Sequence, residues 1–299
     1  MKITPFCFLF VLLSFSLNAQ KNGNGQLSTR TIPVADFHEI RTNFPVTATI
    51  NCGASTSVVM TTDDNLFQHI LVEAEDGILY IQQKGWVEAT EVTLEINVPN
   101  LKRLETSGYG EYIVKNIDAD EFRLTNPVGN VTLLGKANTF RLGVETGEVN
   151  AKALVAQEVV ASIWSFGKAT VNAQQSLEGK VDGGGQLIYI KKPATVRVKT
   201  RDEGEILSET EAEAAQEVAQ EIAYINFKIF NNSGKRIQAY VKGPKGKRFS
   251  YGFPLNPLQK RRKNWPVGSK VYKVSKIGTR TLLATIEADD ADGVVKLFD

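Results

Sequence analysis

Thr106-Ser107-Gly108-Tyr109-Gly110-Glu111-Tyr112-Ile113-Val114 is followed by four degenerate copies of itself. They are Asn126-Pro127-Val128-Gly129-Asn130-Val131-Thr132-Leu133, Glu145-Thr146-Gly147-Glu148-Val149-Asn150-Ala151, Ser165-Phe166-Gly167-Lys168-Ala169-Thr170-Val171 and Gly183-Gly184-Gly185-Gln186-Leu187-Ile188-Tyr189. The aligned glycines, 110, 129, 147, 167 and 185, are spaced by 19, 18, 20 and 18 residues. A period near 20 is too short for a propeller blade or a helical hairpin and suits one coil of a parallel β-helix. The columns agree. Two residues after the glycine stand Tyr112, Val131, Val149, Ala169 and Leu187, and four after stand Val114, Leu133, Ala151, Val171 and Tyr189, both facing inward. One after stand Glu111, Asn130, Glu148, Lys168 and Gln186, a polar outward column. Phe122-Arg123-Leu124 and Phe140-Arg141-Leu142 add a second alternating segment to their coils. Glycine at each corner is expected to supply positive φ. Five coils at about 4.8 Å make a rod roughly 24 Å tall, whose ends need caps.

Upstream, Val46–Ile50, Ser57–Met60, Ile78–Ile81 and Val92–Val98 alternate as strands and are candidates for one cap. Asp63–Ile70, with acidic residues ahead of spaced apolar ones, is expected to form a short helix. At the amino terminus Lys2, the apolar run Phe6–Leu17 and Ala19 have the form of a secretory signal over 1–19, too short to span a bilayer. Residues 20–30 read as a flexible segment. Loss of Cys7 with the signal leaves Cys52 as the one thiol, so an internal disulfide is excluded and a small buried hydrophobe is expected.

Charge divides the rest. Residues 1–201 hold 19 basic and 20 acidic side chains, 202–222 eight acids and no base, and 223–299 16 basic and five acidic. This points to two folded units and a connector. Over 208–222, Ser208 with Glu211 makes a capping box, and Ala215, Val218, Ala219 and Ile222 form a weak apolar stripe. An acidic spacer helix is expected, with the basic unit as its partner if it has one. Residues 223–299 read as a small antiparallel β-sandwich with strands at Tyr224–Phe230, Arg236–Val241, Lys270–Val274, Thr281–Ile286 and Val294–Phe298. Its sharpest feature is a basic loop, Lys260-Arg261-Arg262-Lys263 before Trp265, with Lys245, Lys247 and Arg248 near in sequence. Behind a signal peptide this suits an anionic polysaccharide, lipopolysaccharide phosphate or an acidic protein rather than nucleic acid. Trp265, between Asn264 and Pro266, is expected to be a core plug.

The stretches "VADFHEIRTNFPVTATI", "GILYIQQ" and "VTLEINVPNLKRLETSGYGEYIV", followed by the glycine corners, resemble the head GIN domain family of auto-transporter adhesin heads, the DUF2807 type. The resemblance covers about 31–207 and implies an all-β fold, a right-handed parallel β-helix on a bacterial secreted or surface protein, with adhesion as its function and no catalytic residues to carry over. The Ser-Gly-x-Gly corner is kept only at Ser107–Gly110. Residues 223–299 resemble C-terminal domains appended to Bacteroidetes-like secreted proteins.

No cofactor motif, nucleophile elbow or metal-ligand spacing occurs, and His38 and His69 stand apart in sequence. Glu111 and Glu148, two coils or about 9.6 Å apart, are the one carboxylate pair an inverting glycosidase could use. Tyr109 and Phe166, each just before a corner glycine, and nearby Trp164 could stack on a sugar or cap the hydrophobic core. The expectation is a non-catalytic Gram-negative envelope protein, periplasmic or surface-exposed, binding a polysaccharide, lipopolysaccharide or envelope protein. The alternatives are a structural scaffold with a protein partner and a β-helix carbohydrate-active enzyme.

Overall fold

The structure, a computed structural model, describes residues 20–244, 247, 249–275 and 278–298. The segment expected to be a signal, 1–19, lies outside them. Four long strands, Glu111–Asn126, Asn130–Val144, Glu148–Ile163 and Lys168–Val181, lie parallel and in register. Each bends midway at a register irregularity. The first arm runs on from the corner glycine and the second leads to the next corner.

The first-arm ladder begins Thr47–Cys52 and ends Gln186–Tyr189, Glu205–Ser208. The second-arm ladder runs Ile78–Gln83, Glu39–Thr42, Arg103–Thr106, then the long strands, then Thr195–Thr200. The early strands cap the stack, with Val92–Val98, Ser57–Asp63 and Leu27–Ile32 added beyond Thr47–Cys52. The predicted inward columns are buried apart from half-buried Tyr189, and Phe122 stacks on Phe140 with centroids 6.0 Å apart.

The corner glycines have a different cause from the one expected. Of the five aligned, only Gly129 has positive φ. The others are required by close approach. A Cβ at Gly110 would stand 2.5 Å from the Val46 carbonyl oxygen, at Gly147 2.7 Å from that of Gly129, and at Gly167 2.8 Å from that of Val144. The same closeness serves the backbone. The carbonyl of Gly110 accepts from the Asn130 N–H, Gly129 from Glu148, Gly147 from Lys168, Gly167 from Gln186 and Gly185 from Glu205. The last of these reveals a further corner at Gly204, outside the five-copy alignment.

Two other expectations fail near the amino terminus. Instead of a helix over Asp63–Ile70, residues 64–69 form successive turns between the strands Ser57–Asp63 and Ile70–Glu75. The Asp63 carboxylate is withdrawn from any capping role, because it accepts from the Thr90 N–H and Oγ1 at 2.8 and 2.9 Å and from the Gly25 N–H at 2.6 Å. Residues 20–30, read as a flexible segment, carry paired strands. Lys21–Asn22 pairs with Val87–Glu88, and Leu27–Ile32 with Ser57–Asp63.

The helix Glu209–Glu221 starts at the predicted capping box. Its acidic first turn is anchored on the coil stack, where Glu209 pairs with Lys152. That ion pair raises the Lys152 pKa. The tail has two sheets around a second core, one ordered Lys260–Pro266, Tyr224–Phe230, Val294–Lys296 and the other Ser250–Leu255, Ile237–Lys242, Lys270–Val274, Arg280–Thr285. It is antiparallel except that Tyr224–Phe230 and Val294–Lys296 run parallel.

The basic run is a strand, not a loop. It pairs with Tyr224–Phe230, so its cations alternate between faces: Arg261 and Lys263 lie on the core side with Trp265, and Lys260 and Arg262 are exposed. Ser250–Leu255 is a strand the sequence reading missed, since Gly252 and Pro254 interrupt its pattern.

Candidate ligand-binding face

The outward column of the first arm is continuous. Thr47, Glu111, Asn130, Glu148, Lys168, Gln186 and Glu205 occupy matched positions on successive strands. At a strand spacing of about 4.8 Å the column extends roughly 29 Å. Over its first half lies a groove of about 950 Å³ containing Tyr109, Glu111, Asn130 and Glu148, with Val87–Val92 contributed from a distant part of the sequence. Tyr109 is 78% exposed. Over its second half a cleft of about 440 Å³ runs under the helix, between Lys168 and Gln186 on the sheet and Ala212 and Gln216 above. Glu148 lines both spaces. Ile188, although on the outward face, is only 4% exposed and lines the cleft beneath the helix.

The groups on this face are hydrogen-bonding, and the column carries three carboxylates, Glu111, Glu148 and Glu205, against one ammonium, Lys168. Glu148 lies 2.9 Å from Lys168, and the Gln186 amide donates to Glu205 at 3.1 Å. Glu111 and Glu148 are exposed with Asn130 between them, and Glu148 is paired with the Lys168 ammonium. Among the described residues no cluster of His, Cys, Asp and Glu is arranged for a metal. Cys52 is buried and burial pushes its thiol up to about 11, which removes it as a nucleophile.

The three aromatic candidates do not form one platform. Tyr109 belongs to the groove, and Phe166 lines a separate space facing the tail. The half-buried Trp164 lies over Gly143, where an added Cβ would be 3.5 Å from its ring. The second-arm face carries a charge ladder that the Phe-Arg-Leu repeats signal. Arg103, Arg123 and Arg141 are stacked neighbours, with Arg103 bonded to Glu105, and Arg123 and Arg141 both to Glu121. Hydrogen bonds from Arg141 and Arg123 hold the Glu121 carboxyl below its ordinary range.

Three of the tail's candidate cations, Lys247, Lys260 and Lys263, lie against aromatic rings. Lys263 Nζ lies 4.5 Å from the Phe253 centroid and 5.3 Å from those of Tyr251 and Trp265, Lys260 Nζ 4.9 Å from Phe230, and Lys247 Nζ 5.1 Å from Tyr224. Arg262 lines a shallow cleft with Lys263 and Asp292. Lys245 and Arg248 lie outside the described residues. Trp265 is 2% exposed and donates through Nε1 to the Tyr251 hydroxyl at 3.0 Å.

Among the described residues no helix is long and apolar enough to cross a membrane. None of the curated proteins compared with the chain matches it. Among solved structures, a "putative adhesin" from Bacteroides fragilis superposes with a TM-score of 0.55 at 21% identity, covering 62% of this chain and 99% of that one. At that identity the likeness speaks for the fold alone. A "putative adhesin" from Parabacteroides merdae (TM-score 0.44, 21% identity, 63% and 98% covered) is also similar. So is a "Putative lipid binding protein" from Parabacteroides distasonis (0.42, 20%, 64% and 99%). Residues 36–193, more than half of the chain, match the family described as "Putative auto-transporter adhesin, head GIN domain", DUF2807, and the chain belongs to that family.

Proposed function

We propose that the protein is a non-catalytic binding protein of the cell envelope, whose first-arm face recognises an extended polyhydroxyl ligand such as a surface glycan or the saccharide of a lipopolysaccharide. The observation that carries this reading is the in-register outward column from Thr47 to Glu205, with Tyr109 exposed at one end. Amide, carboxylate and ammonium groups repeated at the strand spacing offer a linear polymer the same kind of contact at every coil. An exposed phenol offers a ring on which one sugar can stack. The adhesin description of the family supports the binding role, and a secretory signal at 1–19 would deliver the chain across the inner membrane to the periplasm or surface. We read 31–207 as the binding head, 208–222 as a strut and 223–299 as a basic tail.

A glycan and lipopolysaccharide array probed with residues 20–299 tests this. Saturable binding to a polymeric glycan that persists at physiological salt and drops at least tenfold in Tyr109→Ala supports the reading. Binding unaffected by Tyr109→Ala and Asn130→Ala, or no binding to any saccharide, sinks it.

A further inference from the structure

The last coils of the head and one sheet of the tail face each other across a cavity of about 380 Å³. The head contributes Phe166, Gly184, Gln186 and the carboxylates Glu203 and Glu205, and the tail contributes Phe249, Ser250, Lys270 and Tyr272 among others. This volume lies at the small end of the ~300–1,000 Å³ range of ligand sites, which occur preferentially at junctions between folded units.

Its charges are not evenly committed. Glu203, whose side chain is 17% exposed, lies 3.4 Å from both Lys242 and Arg280, so one carboxylate from the head ties down two strands of the tail. Arg280 is further fixed over the Tyr240 ring at 3.9 Å. Glu205 accepts from Gln186. Lys270, exposed at the rim, makes no ion pair among the described residues. Two more features point into the same space. Among the described residues the buried Ser250 hydroxyl oxygen has no hydrogen-bond partner. The Phe166 ring is seated against Gly184, where an added Cβ would be 3.0 Å from Cδ1, so the absent side chain makes room for the ring.

A flat apolar ring, an uncommitted ammonium and an unsatisfied hydroxyl at one small cavity form a matched set. We propose that the head–tail junction is a second binding site, at the end of the first-arm column opposite Tyr109, for a single sugar ring bearing one acidic group. The ring packs on Phe166, the acidic group pairs with Lys270, and ring hydroxyls bond Ser250 and Gln186. A uronate and a sugar phosphate share this chemistry.

Calorimetric titration of residues 20–299 with glucuronate, glucose 6-phosphate and glucose tests the assignment. One or both acidic sugars are expected to bind, the tighter identifying carboxylate or phosphate as the natural group, with glucose at least tenfold weaker. Lys270→Gln is expected to weaken acidic-sugar binding at least tenfold without moving the melting temperature, Phe166→Leu to weaken it similarly, and Tyr109→Ala to leave it unchanged. Equal affinity for glucose, no binding of either acidic sugar, binding that survives Lys270→Gln, or binding lost in Tyr109→Ala would each overturn it. Should Phe166→Leu fail to fold, Lys270→Gln still decides.

Discussion

The head and the tail are both built from alternating strands, yet they are held together differently. In the head, stability is distributed. The coils bury mainly aliphatic residues in columns, with Tyr112, Phe122 and Phe140 among them, and each corner carbonyl is bonded to the next coil, so no one side chain dominates. In the tail it is concentrated. Phe227, Phe249, Tyr251 and Phe253 surround one indole, with centroids 5.4 to 6.2 Å from that of Trp265. A repeating parallel stack draws cohesion from backbone register, while a small sandwich must find it in a few large rings.

The largest effect should come from breaking that centre. Trp265→Ala removes the ring and its hydrogen bond to the Tyr251 hydroxyl, at a cost of about 3–5 kcal/mol, comparable with all the stability a unit of this size has. Two transitions are expected in calorimetry, with this substitution abolishing the one assigned to the tail and sparing the other. A single transition that shifts as a whole would show that head and tail unfold together.

The matching attack on the head is on its backbone spacing. Gly110→Ala places a methyl group 2.5 Å from a main-chain oxygen that cannot move without breaking the ladder, and should cost about 2–3 kcal/mol. Gly252→Ala in the tail meets nothing closer than 3.5 Å and should be neutral or stabilising by about 0.5 kcal/mol. Chemical denaturation of the pair measures the contrast, and equal costs would remove the distinction between the two regions.

A smaller effect is expected from pH. Burial pushes the Asp63 carboxyl up, but the hydrogen bonds from Thr90 and Gly25 outweigh it and hold the pKa below the ordinary value. A depressed folded-state pKa stabilises the protein above the unfolded value, about 3.9, and that contribution disappears as pH falls through the folded value. Acid should therefore loosen the head's amino-terminal cap first, followed as hydrogen exchange at Gly25 and Thr90. Asp63→Asn should show the loosening already at pH 7 and lose the acid dependence. The smallest effect concerns Cys52. In the native protein it should resist maleimide at pH 7 and label fully only after unfolding.

The same contrast explains what the sequence made legible. The coils could be read because a parallel stack repeats its inward residues at matched positions, and Tyr109, Glu111 and Glu148 fall on one face for that reason. The cause of the corner glycines could not, since the distance from Gly110 to the Val46 carbonyl exists only once two coils are stacked. The wall of the groove, Val87–Val92, comes from a segment with no repeat to mark it. In the tail, four adjacent cations suggest a loop. Only the partner strand, with Phe227 opposite Lys263 and Ile229 opposite Arg261, shows how such a run is accommodated beside a core.

The corner ladder also makes the head divisible. Because Gly110 and Gly129 present equivalent carbonyls to the coil that follows, the segment from Asn130 to Gly147, 18 residues, is one interchangeable unit, and its excision would set Glu148 directly after Gly129 with the hydrogen-bond pattern intact. Heads of different height can then arise by duplication or loss of such units, each change altering reach by a single rung and leaving the caps at both ends untouched.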